Sequence, residues 1–154
     1  MNEEKILITG SSGYIGSILT TKIKKKIFGI DKKQSKFKKI KIKKINLLEK
    51  KKLKKYIEKL KPNIVIHLAA ESTLDNVLTQ KKSYINNNII GTQNLLNSLN
   101  NIDLKKFIFS STASVYKNST KVLYENSLTN PDNIYSKTKY YNENQIREFF
   151  KDKK

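Results

Sequence analysis

Three glycines near the N-terminus have a spacing that suits the binding of a dinucleotide. Gly10, Gly13 and Gly16 follow the apolar run 6–8 and precede a segment with a helical pattern of apolar residues. In such a unit the first glycine permits a tight turn, the second lets backbone N–H groups approach a pyrophosphate, and the third lets the helix pack close to the strand. The phosphates would lie at the helix N-terminus, which favours anions. A glycine-rich turn without a ligand is the alternative interpretation.

A carboxylate follows at a second position that matters for such a ligand. Asp31 ends the next apolar segment, roughly 20 residues beyond the glycine turn, where an acid accepts hydrogen bonds from the adenosine ribose hydroxyls. It would also repel a 2′-phosphate, so NAD is favoured and NADP is less expected. Lys32 and Lys33 beside it could offset that repulsion. A solvated acid in a turn is the alternative.

Further along the chain, a tyrosine, a lysine and a run of hydroxyls could take part in proton transfer. Tyr135 and Lys139 are four residues apart in a helical segment, so they lie on one face. The run 110–114 follows an apolar segment and is placed at the carboxyl edge of a sheet, where ligands bind. An exposed helix pair and a turn that bonds its own backbone are the alternatives. We predict that His67, the single histidine, is a core residue with one satisfied hydrogen bond.

The elements that must position these residues alternate between strands and helices. This alternation predicts one α/β domain, 1–154, with a doubly wound parallel sheet and helices on both faces. The predicted strands are 6–8, 27–30, 40–43 (half exposed, near a sheet edge), 64–70 (fully buried) and 107–109 (buried). The predicted helical segments are 14–27, 48–60, 84–99 and 134–151.

Composition excludes several classes of site. The chain has no cysteine and one histidine, so disulfides, thiol catalysis and cysteine- or histidine-based metal clusters are excluded, and no metal is expected. No apolar run approaches the length that spans a membrane. We therefore expect a soluble protein of a reducing cytoplasm that has no membrane partner.

The net charge of +19 is dominated by lysine, with Arg147 as the single arginine. Proteins that read phosphates or base edges favour arginine for its planar fork. We expect weak, salt-sensitive attraction to polyanions and no specific nucleic-acid recognition.

Several motifs together resemble one enzyme family. In chain order the motifs are Thr9-Gly10-x-x-Gly13-x-x-Gly16, Asp31, His67-Leu68-Ala69-Ala70, Asn88-x-x-Gly91-Thr92, Ser110-Ser111-Thr112 and Tyr135-x-x-x-Lys139. This order resembles that of the extended short-chain dehydrogenase/reductases, in particular the NAD-dependent nucleotide-sugar epimerases and dehydratases. The resemblance implies a Rossmann-type fold, NAD as cofactor and a nucleotide sugar as substrate.

The resemblance also implies roles for individual residues. Tyr135 would be the general base that removes a sugar hydroxyl proton, and Lys139 would favour the phenolate and hold the nicotinamide ribose. Thr112 would align the same hydroxyl, and Asn88 would support the active-site helix. The implied catalytic residues are Thr112, Tyr135 and Lys139. The implied cofactor-binding residues are Gly10, Ser12, Gly13, Tyr14, Ile15, Gly16, Asp31, Leu68, Ala69, Ala70, Asn88, Ser110, Tyr135 and Lys139.

Departures from the family narrow these expectations. Ala113 and Ser114 stand where the sugar dehydratases usually place Asp-Glu, so a sugar 4-epimerase-like or simple redox role is favoured. Family members extend well beyond the Tyr-x-x-x-Lys helix into a substrate lobe, so we expect a C-terminally truncated Rossmann domain. The alternative is a non-catalytic NAD-binding module, or a fragment that needs a partner to complete its fold. A homodimer through helices 84–99 and 134–151 is plausible by analogy.

Overall fold

Five parallel strands form the sheet in the described part of the chain. The computed structural model describes residues 4–33, 42–72, 81–151 and 153. The strands are β1 (Lys5–Thr9), β2 (Lys26–Asp31), β3 (Ile42–Lys44), β4 (Ile64–His67) and β5 (Lys106–Phe109). Their order in the sheet is β3-β2-β1-β4-β5. The predicted parallel α/β architecture is confirmed.

The helical elements lie between these strands and after β5. They are α1 (Tyr14–Lys22), α2 (Lys50–Leu60), α3 (Lys81–Tyr84), a π-helical segment (Ile85–Ile90), α4 (Gly91–Ser98), a 3-10 turn (Ala113–Val115) and α5 (Ile134–Phe150). None of the helices in the described part of the chain is both long and apolar enough to cross a membrane.

Register brings the carboxyl ends of the strands to one edge. Thr9 at the end of β1 pairs with Ile30 of β2 and His67 of β4, and His67 pairs with Phe109 of β5. The residues that follow these strands therefore meet above the same sheet edge. This is where ligands bind in open α/β sheets.

The core lies on both faces of the sheet, because successive strand residues point to opposite sides. Leu7 and Val65 pack with Leu53 of α2 and Leu95 of α4 on one face. On the other face Ile6, Ile8 and Ile66 pack against α1. Helices on both faces are thus confirmed, with the larger cluster beneath α2 and α4.

Several predicted boundaries need correction. The first helix ends at Lys22 rather than continuing to residue 27, and Lys26 already belongs to β2. β4 ends at His67, so residues 68–70 are loop, and α2 starts at Lys50 rather than at residue 48. The helix predicted over 84–99 begins at Lys81 and contains a π-helical segment. Of the predicted strand 40–43, residues 40 and 41 lie outside the described residues.

The prediction that β5 is buried is wrong. Among the described residues β5 has one hydrogen-bonded neighbour, β4, and therefore forms an edge of the sheet. Phe107 stacks near Phe150 of α5, whereas Ile108 points to the other face and is 49% exposed. An apolar triplet cannot by itself reveal that only one of its faces is covered.

His67 is a core residue, as predicted, but it has two hydrogen-bond partners rather than one. It is 1% exposed, with Nδ1 2.6 Å from Thr9 Oγ1 and Nε2 2.9 Å from Thr92 Oγ1. Burial, with a smaller contribution from the Lys139 charge, lowers the pKa of His67 from 6.5 to about 3. The folded protein therefore holds this imidazole neutral.

We expect acid to destabilise the protein through His67. Between pH 6.5 and about 3 the unfolded chain binds a proton that the folded chain does not, so stability present above pH 6.5 is lost as pH falls through that window. Urea unfolding at about pH 7 and about pH 4.5 should show a loss of about 2 to 3 kcal/mol from this residue. His67→Gln is the comparison, because it removes the titrating group. An unchanged pH slope in that variant would contradict the assignment.

Candidate functional site

A groove of about 700 Å³ runs along the carboxyl ends of the strands. Its size lies within the range of ligand pockets in proteins. The residues that line it come from the glycine turn, the ends of β2 and β4, and the segments after β3 and β5. They are Thr9, Gly10, Ser12, Gly13, Tyr14, Ile15, Gly16, Ile30, Asp31, Lys32, Lys33, Ile45, Asn46, Leu47, Leu68, Ala69, Ala70, Glu71, Ser72, Asn87 and Ser110.

The glycine turn forms one wall of the groove. Gly10 has φ +71°, and a Cβ there would lie 2.7 Å from the backbone N of Ala69. A Cβ on Gly16 would collide with the carbonyl oxygen of Gly10, so α1 packs directly against the turn. Gly13 is the extended N-cap of α1 and has no side-chain cap hydrogen bond. The first turn of α1 thus presents backbone N–H groups toward the groove, as an anion site requires.

Asp31 is fixed by backbone donors at the end of β2. Its Oδ2 accepts a hydrogen bond from Ser12 N at 3.0 Å, and its Oδ1 accepts one from Lys33 N at 2.9 Å. The Ser12 hydroxyl donates to the Lys33 carbonyl at 3.1 Å. A carboxylate held in this way retains lone pairs for further donors.

The opposite wall follows β4. The Thr9 carbonyl accepts a hydrogen bond from the Leu68 N–H at 3.1 Å, and the Thr9 hydroxyl accepts one from the Ala69 N–H at 3.3 Å. Small side chains at Ala69 and Ala70 leave the groove open above these strand ends. Glu71 follows and forms an ion pair with Lys32 at 3.2 Å.

The beginning of α5 carries the Tyr-x-x-x-Lys pair. A capping box between Asn133 and Ser136 fixes its start. Lys139 is 2% exposed, and its Nζ donates to the Ser110 carbonyl at 2.7 Å. The ammonium lies 4.7 Å from the centre of the Phe109 ring and 5.8 Å from that of Tyr135. Since Ser110 lines the groove, this contact joins α5 to it.

The acid–base properties of this pair differ from the simple expectation. Burial lowers the pKa of Lys139 from 10.5 to about 8. Burial, followed by the influence of Tyr84, raises the pKa of Tyr135 above 10.0. Lys139 Nζ donates to the Ser110 carbonyl, and its predicted role in favouring the Tyr135 phenolate stays a prediction.

Asn88 joins the groove wall to α5. Its Oδ1 accepts Glu71 N at 2.7 Å, and its Nδ2 donates to Glu71 O at 3.1 Å and to Thr138 Oγ1 at 2.9 Å. Its carbonyl accepts Asn142 Nδ2 at 3.1 Å. Asn88 is fully buried within the π-helical segment, a distortion that is frequent at functional sites.

The structure brings most of the sequence-predicted residues together. The glycine turn, Asp31, residues 68–70 and Ser110 all line the groove. Thr112, Tyr135, Lys139 and Asn88 are not among its lining residues. Lys139 reaches the groove through Ser110, and Asn88 reaches it through Glu71. The Thr112 hydroxyl accepts Ser114 N at 3.2 Å and caps the 3-10 turn.

Two acidic residues make contacts at the site that the sequence motifs did not predict. Glu71 lines the groove and pairs with Lys32, and its place directly after the end of β4 was the available signal. Glu143, one turn beyond Lys139 on α5, accepts a hydrogen bond from the Ser111 hydroxyl. Together with the Lys139–Ser110 contact, it holds the segment after β5 against α5.

Comparison with known proteins gives a consistent result. Residues 6–154 match the model of the NAD dependent epimerase/dehydratase family. The chain is 37% identical to a dTDP-D-glucose 4,6-dehydratase of Dictyostelium discoideum over an alignment 179 positions long, gaps included, which covers 96% of the chain and 41% of the relative. It is 33% identical to a bifunctional protein GAL10 of Kluyveromyces lactis, covering 99% of the chain and 25% of the relative.

Solved structures agree with these sequence matches. The UDP-Glc/GlcNAc 4-epimerase of Campylobacter jejuni superposes with a TM-score of 0.87 at 30% identity, covering 97% of this chain and 50% of that one. A UDP-glucose 4-epimerase from Brucella ovis in complex with NAD has a TM-score of 0.86 at 25% identity, covering 97% and 48%. The chain thus spans about half the length of these structures and less than half that of the curated relatives named above.

Proposed function

The chain belongs to the NAD dependent epimerase/dehydratase family, and from this premise we propose that it binds NAD in the groove and takes part in sugar-nucleotide epimerisation. The contact between the Lys139 ammonium and the Ser110 carbonyl carries this proposal. Through it the Tyr-x-x-x-Lys helix meets the groove at the end of β5, while Asp31 stands at the end of β2.

The groove has the dimensions and the chemistry of a dinucleotide site. β2 and β5 are separated by β1 and β4, so at ordinary strand spacing Asp31 and Ser110 lie about 14 Å apart. A dinucleotide would span that distance, with its adenosine ribose at Asp31 and its pyrophosphate at the first turn of α1. Small residues at 69 and 70 leave room between the two ends.

The catalytic proposal assigns a role to each of three side chains. NAD supplies, when bound, the acceptor for a hydride from the sugar. Tyr135 takes the proton of the sugar hydroxyl, and Thr112 aligns that hydroxyl. Because burial raises the Tyr135 pKa, the phenolate needs a nearby positive charge, which is the role of Lys139.

The proposed substrate is a nucleotide sugar. UDP-glucose 4-epimerases and a dTDP-D-glucose 4,6-dehydratase are among the relatives. At positions 113 and 114 this chain has Ala and Ser, neither of which is an acid that could eliminate water. Epimerase-like chemistry is therefore our proposal rather than dehydration.

A calorimetric titration with NAD and, separately, with NADP tests cofactor binding. We expect saturable binding with NAD preferred. Asp31→Asn should weaken NAD binding about tenfold, because a charged acceptor of the ribose hydroxyls is lost. Absence of binding to either cofactor by the folded wild-type chain would refute the proposal.

A second candidate is an NAD-binding module that does not catalyse by itself. In the described part of the chain nothing pairs with the outer side of β5, and Ile108 there is half exposed; both features favour this candidate, because a further strand could pair at that edge. This candidate predicts NAD binding without turnover of UDP-glucose. The homodimer through the helices at 84–99 and 134–151 stays a proposal in either case.

A further inference from the structure

We infer that Glu71 is a selectivity residue that makes the groove prefer NAD over NADP by pairing with Lys32. The inference rests on the proposed binding of NAD. No motif of the sequence indicates a role for Glu71. The inference also addresses whether the lysines beside Asp31 offset its repulsion of a 2′-phosphate.

The ion pair joins the two walls of the groove. Lys32 follows Asp31 at the end of β2, and Glu71 stands beyond the end of β4, with β1 between them. Lys32 Nζ lies 3.2 Å from Glu71 Oε2, with 42% and 21% of the two side chains exposed. Both residues line the groove together with Asp31. The Lys32 ammonium is therefore directed toward Glu71.

Glu71 is held in place by the buried interior. The side-chain oxygen of Asn88 accepts the Glu71 N–H at 2.7 Å, and the side-chain nitrogen of Asn88 donates to the Glu71 carbonyl at 3.1 Å. Asn88 is fully buried and also donates to Thr138 of α5. The position of the Glu71 backbone is thus fixed independently of its side chain.

This arrangement affects NADP much more than NAD. A 2′-phosphate brings about −2 of charge to the position beside Asp31, whose carboxylate repels it. A free ammonium at Lys32 would offset that repulsion, as basic side chains do when they bind phosphate. The ion pair directs the Lys32 ammonium toward Glu71, and the Glu71 carboxylate neutralises its charge. NAD carries a hydroxyl at the same position and does not need the cation.

The test is calorimetric titration of folded wild type and variants with NAD and with NADP. For Glu71→Gln we expect NADP to bind roughly three- to tenfold more tightly, with NAD affinity changed by less than about twofold. Glu71→Gln combined with Lys32→Gln should return NADP affinity to the wild-type value. Lys33 is present in every variant, so it does not contribute to the differences between them.

Glu58→Gln is the matched control. Glu58 forms an exposed ion pair with Lys54 on α2 at 3.8 Å and does not line the groove. The Glu58→Gln variant therefore makes the same change in net charge away from the groove. It should leave the ratio of NAD affinity to NADP affinity as in the wild type. Glu71→Asp keeps the charge but shortens its reach, so it should shift selectivity toward NADP as well, by less than Glu71→Gln.

Three results would overturn the inference. An unchanged NAD-to-NADP ratio in Glu71→Gln would show that Lys32 does not reach the 2′ position. An equal gain in Glu58→Gln would show that bulk charge is responsible. A wild-type chain that binds neither cofactor would refute the proposed function itself, and the inference with it.

Discussion

Tyr135→Phe is expected to reduce sugar turnover at least about a thousandfold while NAD stays bound. Proton transfer by a positioned side chain contributes roughly 10²- to 10⁴-fold to a rate, and phenylalanine lacks the phenolic oxygen that we propose accepts the proton. The ring stays, so the packing at the start of α5 should be kept. The measurement is conversion of UDP-glucose with NAD present, together with calorimetric titration of NAD.

The matched control for this variant is Tyr140→Phe. Tyr140 stands on the same helix, five residues further along, and is half-buried. Loss of its hydroxyl should leave turnover unchanged within about twofold, as for most substitutions away from a reacting centre. Activity retained in Tyr135→Phe would contradict the assignment. NAD binding without turnover in the wild type would support the non-catalytic module instead.

Gly10→Ala is expected to destabilise the protein by about 2 to 4 kcal/mol and to abolish NAD binding. Gly10 has φ +71°, a conformation that L side chains rarely adopt. Its Cβ would lie 2.7 Å from Ala69 N and 2.8 Å from Ala69 Cα, and both atoms belong to the backbone of the opposite groove wall. Because these atoms cannot rotate aside, the turn and the loop after β4 must separate. Urea unfolding and NAD titration measure the two effects.

Gly13→Ala separates folding from binding. Gly13 has φ −73°, and its Cβ would meet a single neighbour, Gly10 O, at 3.2 Å. Its cost in stability should stay below about 1 kcal/mol, whereas NAD binding should weaken because a methyl group would stand where the pyrophosphate approaches. Equal destabilisation by the two variants would contradict the role that we assign to the Gly10 turn.

Features set by short stretches of sequence were predictable. The apolar runs of β1, β2 and β4 identify strands because a buried parallel strand needs apolar side chains on both faces. The glycine spacing identifies the turn, since the conformation of Gly10 is a property of its own backbone. Asp31 was predicted to be a ligand-binding residue because it ends the second apolar segment. This position in the chain places it at the carboxyl end of β2.

The sequence by itself therefore determined the parallel α/β fold, the glycine turn, and the set of segments at the carboxyl edge of the sheet. Only the tertiary structure decided which side chains pair across that edge. Lys32 with Glu71 and Lys139 with Ser110 are contacts between distant segments, and they depend on the strand order. The raised pKa of Tyr135 and the exposed face of β5 likewise depend on tertiary packing. The burial of a side chain and the residues that it contacts depend on how the helices pack on the sheet, whereas the spacing of apolar residues indicates only the local structure of the chain.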